Sequence, residues 1–90
     1  MKTFHYIVRG RVQGVAFRHY TVIEAEKLGI RGSVKNLDNG DVEVYAQGED
    51  AAIERFETFL GRGPYMAHVN EVVREELAGD RVYSYFDVVF

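Results

Sequence analysis

Apolar and polar residues alternate near the start of the chain. Phe4, Tyr6 and Val8 fall on one side and His5, Ile7 and Arg9 on the other, which predicts a strand over residues 3–9. The spacing then changes to a helical one over residues 18–28. Val22, Ala25 and Leu28 make a stripe with Ile23 beside it, Glu24 and Lys27 face water, and Gly29 supplies a stop. Alternation returns over residues 30–37 and 41–47, where Val42, Val44 and Ala46 interleave with Glu43, Tyr45 and Gln47. Between these two runs lies Asp38-Asn39-Gly40, whose Asn-Gly pair is a strong hairpin signal.

Residues 50–60 carry Ile53, Phe56, Phe59 and Leu60 at helical spacing, followed by Gly61, and Gly63-Pro64 breaks the chain. Val69 to Val73 and on to Leu77 predict a fourth strand. Val72 falls out of the alternation, so a bulge or local twist is expected there. Residues 78–81 read as a loop and residues 86–90 as a short terminal strand. The order β-α-β-β-α-β plus one strand predicts an α+β, ferredoxin-like sandwich, with two helices on one face of a mainly antiparallel sheet. Such a fold hosts many activities and does not by itself assign one.

Composition narrows the possibilities. Ninety residues suit one domain, spanning 1–90, with no room for a separate cofactor domain. The chain has no cysteine, which excludes disulfides, thiolate metal sites and iron–sulfur ligation. His5, His19 and His68 are too scattered to propose a metal site. The start lacks the apolar segment of a signal peptide and no apolar run reaches membrane-spanning length, so a cytoplasmic protein is expected. No apolar stripe demands a partner, and a monomer is the default. The net charge of −3 is unevenly spread: residues 1–36 hold seven Lys/Arg against Glu24 and Glu26, whereas residues 37–90 hold four basic groups against twelve acidic ones. An anionic ligand is favoured near the first part of the chain.

The chemistry concentrates in Gly10-Arg11-Val12-Gln13-Gly14-Val15-Ala16-Phe17-Arg18. A strand feeds a glycine-bearing loop, and an arginine follows where the helical spacing begins. Glycines allow backbone N–H groups to converge, a helix start adds unpaired donors, and a guanidinium matches phosphoryl oxygens in pairs. These are the parts of a cradle for a phosphoryl group. Val15, Ala16 and Phe17 carry a Cβ, so ordinary dihedrals are expected for them, with only Gly10 and Gly14 free to depart.

This nine-residue motif, together with Gly32-Ser33-Val34-Lys35-Asn36-Leu37 and the following Asp38-Asn39-Gly40-Asp41-Val42-Glu43, resembles the two signatures of the acylphosphatases in order and spacing. Ser33 stands where an aromatic is common and Ala16 at a variable place; neither departure falls on the two positions that carry the chemistry. The resemblance implies hydrolysis of a small-molecule acyl phosphate. It implies that Arg18 and the N–H groups of Gly10, Arg11, Val12, Gln13, Gly14, Val15, Ala16 and Phe17 bind the phosphoryl group, and that Asn36 holds the attacking water. An acyl phosphate releases a carboxylate whose conjugate acid has a pKa of about 4, so it leaves without a proton from the enzyme. Phosphate binding and water placement then suffice, and neither a cofactor nor a metal is expected.

Two rivals are weighed against this reading. A nucleic-acid module is disfavoured because residues 41–47 lack the aromatic stacking signature of RNA-binding strands and the acidic balance opposes backbone binding. A carbamoyl-phosphate-binding module of the hydrogenase-maturation type is the nearer alternative.

Overall fold

The computed structural model describes residues 1–79 and 81–90. Strand β1 (Lys2–Arg11) is followed by α1 (Phe17–Leu28), β2 (Arg31–Asn36), β3 (Val42–Gly48), α2 (Asp50–Arg62), β4 (His68–Leu77) and β5 (Phe86–Val89). They form one five-stranded sheet in the order β4-β1-β3-β2-β5. Every neighbouring pair is antiparallel except β2 with β5. The predicted sandwich is therefore the observed one. The loop expected at residues 78–81 includes Asp80, which lies outside the described residues.

The alternation read from the sequence decides which face of the sheet is covered. Phe4, Tyr6 and Val8 of β1, Val34 of β2 and Val42, Val44 and Ala46 of β3 join Ile53, Phe56, Phe59 and Leu60 of α2 in one buried core. Burying that apolar surface supplies most of the drive to fold. Residues one step out of phase lie on the uncovered face, where His5 Nε2 meets Glu43 Oε2 at 2.9 Å.

Three expectations are corrected. On α1 the fully buried residues are Phe17, Thr21 and Ala25, with Val22 and Leu28 partly buried and Ile23 largely exposed. Thr21 escapes a reading by hydrophobicity because it is polar. Its hydroxyl donates to the Phe17 carbonyl at 2.7 Å, which makes its burial tolerable. Helix α2 runs through Gly61 to Arg62 and ends at Gly63, which has φ 71° and donates to the Phe59 carbonyl. The bulge falls not at Val72 but just before it. Val8 pairs with Val72, Arg9 with Glu71 and Gly10 with Val69, leaving Asn70 as the extra residue. Gly10, at φ 135°, fixes the place, because a Cβ there would collide with the His68 carbonyl. The extra residue brings both Val69 and Val72 onto the core side, and this explains the broken alternation.

The topology sets where a site can form. Strands β1 and β2 are both antiparallel to β3, so both end at the same edge of the sandwich, and β5, parallel to β2, ends there too. Helix α1 begins at that edge. One loop, one helix start and three strand ends therefore converge.

Candidate active site

At this edge lies a cavity of about 420 Å³ lined by Val12, Gly14, Ala16, Phe17, Arg18, His19, Val22, Asn36, Val88 and Phe90. Of the residues singled out from the sequence, Val12, Gly14, Ala16, Phe17, Arg18 and Asn36 meet in it. Gly10 and Arg11 lie outside, paired with Val69 and His68 in the β1–β4 ladder. Val15 packs against the core instead.

The loop is shaped by two left-handed residues. Gly14 has φ 73°, and Ala16, the N-cap of α1, has φ 60° and ψ 23°. The expectation of ordinary dihedrals beyond Gly14 fails at Ala16. Alanine in this region is strained by about 1–2 kcal/mol, a conformation retained only where the surroundings impose it. Among the described residues, no backbone carbonyl accepts from the N–H groups of residues 13–19, and the first turn closes only with Tyr20 N–H on the Ala16 carbonyl at 3.1 Å. Ala16 offers no side-chain cap, and the first turn holds no acid. The donors and the positive end of the helix dipole are thus left to whatever occupies the cavity.

Arg18 brings a permanent positive charge to the lining, and no Asp or Glu side chain is among the lining residues. Asp41, the acid of the neighbouring turn, is held by Arg9 Nε at 3.4 Å and by Asn39 Nδ2 at 3.2 Å. The Arg18 guanidinium carbon lies over the Phe90 ring, 5.2 Å from Cζ to centroid.

Asn36 occupies the last position of β2, in phase with Gly32 and Val34, so its side chain is on the core-facing side, one step beyond the buried Val34. Its Oδ1 is buried and has no hydrogen-bond partner. Buried carboxamide oxygens are almost always satisfied, so an orphan on a residue that lines a cavity points to a donor from a ligand or water.

The side chain of Gln13, which the sequence offered only for its backbone amide, ties the two motifs together. Its Nε2 donates to the Leu37 carbonyl and to the Asp41 carbonyl, each at 2.8 Å. Leu37 and Asp41 are the residues that close the hairpin turn, through Leu37 N–H to the Asp41 carbonyl at 2.8 Å. The loop carrying the amides and the hairpin carrying Asn36 are therefore clamped by one carboxamide. His19, Val22, Val88 and Phe90 also lie outside the sequence-based set. They carry no motif, and only the folding of β5 beside β2 brings the last two in.

Fold and cavity together define a small α+β sandwich with a cavity at one edge that brings Arg18, Asn36 and the start of α1 together. A family model described as Acylphosphatase matches residues 4–88. An acylphosphatase of Burkholderia thailandensis is 48% identical over 86 residues, covering 96% of this chain and 88% of that protein. The crystal structure of acylphosphatase from Bacillus subtilis superposes with a TM-score of 0.96 at 34% identity, covering all of both chains. A full-length HypF solved in a phosphate- and nucleotide-bound form contains a similar region, with a TM-score of 0.89 and 27% identity over 99% of this chain and 12% of that one. The chain belongs to the acylphosphatase family, and is an enzyme of that type.

Proposed function

We propose that the cavity binds the phosphoryl group of an acyl phosphate and directs a water molecule held by Asn36 onto its phosphorus. The observation that carries this reading is that Asn36, whose Oδ1 is buried without a partner, lines the same cavity as Arg18. The N–H groups of the Gly14–His19 stretch and the Arg18 fork meet the phosphoryl oxygens. Asn36 Oδ1 accepts one O–H of the water and aims its oxygen at phosphorus. As the water O–P bond forms, the bond from phosphorus to the acyl oxygen breaks and its electron pair stays with the departing carboxylate. The water's other proton passes to a phosphoryl oxygen of the substrate, giving inorganic phosphate. No protein acid is required, because the carboxylate leaves as the weak base it already is. The protein acts as a monomer on a soluble small molecule; no helix of the described residues is long and apolar enough to cross a membrane.

The two side chains contribute differently. Arg18 acts on substrate and transition state alike, so Arg18→Ala should abolish turnover and phosphate binding together. Asn36 acts on the water, so Asn36→Ala should lower kcat by about 10²–10³ while the inhibition constant of inorganic phosphate stays nearly unchanged. Steady-state hydrolysis of benzoyl phosphate with phosphate as inhibitor measures both. An Asn36→Ala enzyme of undiminished kcat would remove Asn36 from the mechanism. Carbamoyl phosphate, run alongside, separates a general acyl-phosphate hydrolase from the carbamoyl-phosphate module: strong preference for it, with poor turnover of benzoyl phosphate, would favour the latter.

A further inference from the structure

A second groove, of about 890 Å³, lies on the α1–α2 side of the cradle loop and shares Gly14 and Ala16 with the phosphoryl cavity. We propose, resting on the reading above, that this groove receives the acyl group of the substrate and selects large, flat apolar acyl groups over small ones. Three observations converge on it. The first is adjacency: the two cavities share Gly14 and Ala16 as lining residues, so the groove lies beside the loop that carries the amides of the phosphoryl cavity.

The second is reaction geometry. Attack and departure lie on opposite sides of phosphorus in an in-line displacement. Asn36 lines the phosphoryl cavity and not the groove. With the water on the β2 side, the acyl oxygen is directed towards α1 and α2, where the groove opens.

The third is surface chemistry. Tyr20, Ile23, Tyr65 and Met66 are all large apolar side chains left exposed, and all four line this one groove. Exposed apolar residues scattered singly need no explanation, whereas a contiguous set beside a reactive centre marks a binding surface. An acetyl group offers a single methyl to such a surface. A benzoyl-sized group can lie between the tyrosine rings and the adaptable methionine.

The test compares kcat/KM for benzoyl phosphate and acetyl phosphate in the wild-type protein and in a Tyr65→Ala/Met66→Ala double variant. Tyr65 is 97% exposed and Met66 is also exposed, so the variant keeps the fold. The benzoyl-to-acetyl ratio should fall about fivefold or more, with acetyl phosphate kinetics and inhibition by inorganic phosphate unchanged. An unchanged ratio, or an equal loss on both substrates, would overturn the acyl subsite. An unchanged ratio with a concentration-dependent dimer lost in the variant would assign the groove to a second copy of the chain. A wild-type protein that hydrolyses neither compound would instead strike the underlying hydrolase reading.

Discussion

The guanidinium carbon of Arg18 lies over the Phe90 ring, 5.2 Å from its centre. The ring attracts the charge without accepting a conventional hydrogen bond from the guanidinium N–H groups, so this contact and oxyanion binding do not compete. The ring restrains a long side chain that otherwise spends conformational freedom on binding. Phe90 is itself highly exposed, and an exposed cation–π contact is worth about 0.5–1 kcal/mol. Phe90→Ala should therefore weaken phosphate inhibition only about two- to fivefold. Competitive inhibition constants measure this; a loss as large as that of Arg18→Ala would mean the ring does more than hold the arginine.

Gln13 makes a different kind of prediction, since its amide reaches backbone on the far side of the site. Gln13→Ala removes two partly buried hydrogen bonds, each worth about 0.5–1.5 kcal/mol, so unfolding stability should drop by about 1–3 kcal/mol. Displacing a reacting group by about 1 Å costs up to about 10² in rate, so kcat should fall tenfold or more. Gln13→Glu is the sharper variant. It matches the shape but has no N–H to donate, so it should be no better than alanine in urea melts and steady-state assays. Rescue by glutamate would show that packing, not the clamp, sets the geometry.

What the sequence discloses and what it hides follow from the range of each interaction. The sheet face Phe4-Tyr6-Val8, the hairpin at Asn39-Gly40 and the core of α2 are local patterns, and each lies in the structure where its periodicity put it. The candidate site was legible as two motifs because glycine spacing and a terminal Asn36 are local as well. The left-handed Ala16 was not, since nothing in an alanine announces positive φ; only the closure of β1 into α1 imposes it. The clamp of Gln13 on residues 24 and 28 positions away, and the arrival of Val88 and Phe90 through the parallel pairing of β5 with β2, are tertiary facts without a local signal. The bulge shows an intermediate case: the broken alternation at Val72 was visible, but its cause lies on the partner strand at Gly10.

Ala16 allows the strain in the cradle to be measured. Glycine adopts φ 60° freely, so Ala16→Gly relieves about 1–2 kcal/mol in the folded state, offset by about 0.4–1 kcal/mol of extra freedom in the unfolded chain. Stability should be unchanged or higher by up to about 1.6 kcal/mol, with activity retained. A β-branched residue cannot take the same conformation without severe crowding. Ala16→Val should lower stability by at least about 2 kcal/mol and reduce kcat, because relieving its strain reorients the amides. Urea midpoints of the two variants should move in opposite directions or diverge by that amount; coincident midpoints would show that the backbone at this position is free to relax.

Tyr6 gives the last prediction, and it concerns alkaline stability. Its ring is fully buried and its hydroxyl donates to Glu57 Oε2 at 2.7 Å, an oxygen that also accepts from Arg74 Nη1 at 3.0 Å. Burial, and then the bond to the carboxylate, push the Tyr6 pKa well above its ordinary value of 10.0. Above pH 10 the unfolded chain therefore releases a proton that the folded chain keeps. The folded state binds more protons in that range, so the contribution of Tyr6 is intact below pH 10 and erodes as pH rises further, by up to about 1.4 kcal/mol per pH unit. Tyr6→Phe should cost about 1 kcal/mol at pH 8, from the lost hydrogen bond, and flatten the decline between pH 10 and 11. A residual slope from Tyr45, whose pKa is raised by partial burial and then by Glu43, should persist in the variant. Urea denaturation at these three pH values decides it: parallel stability curves for wild type and variant would mean that Tyr6 is not the group that titrates on unfolding.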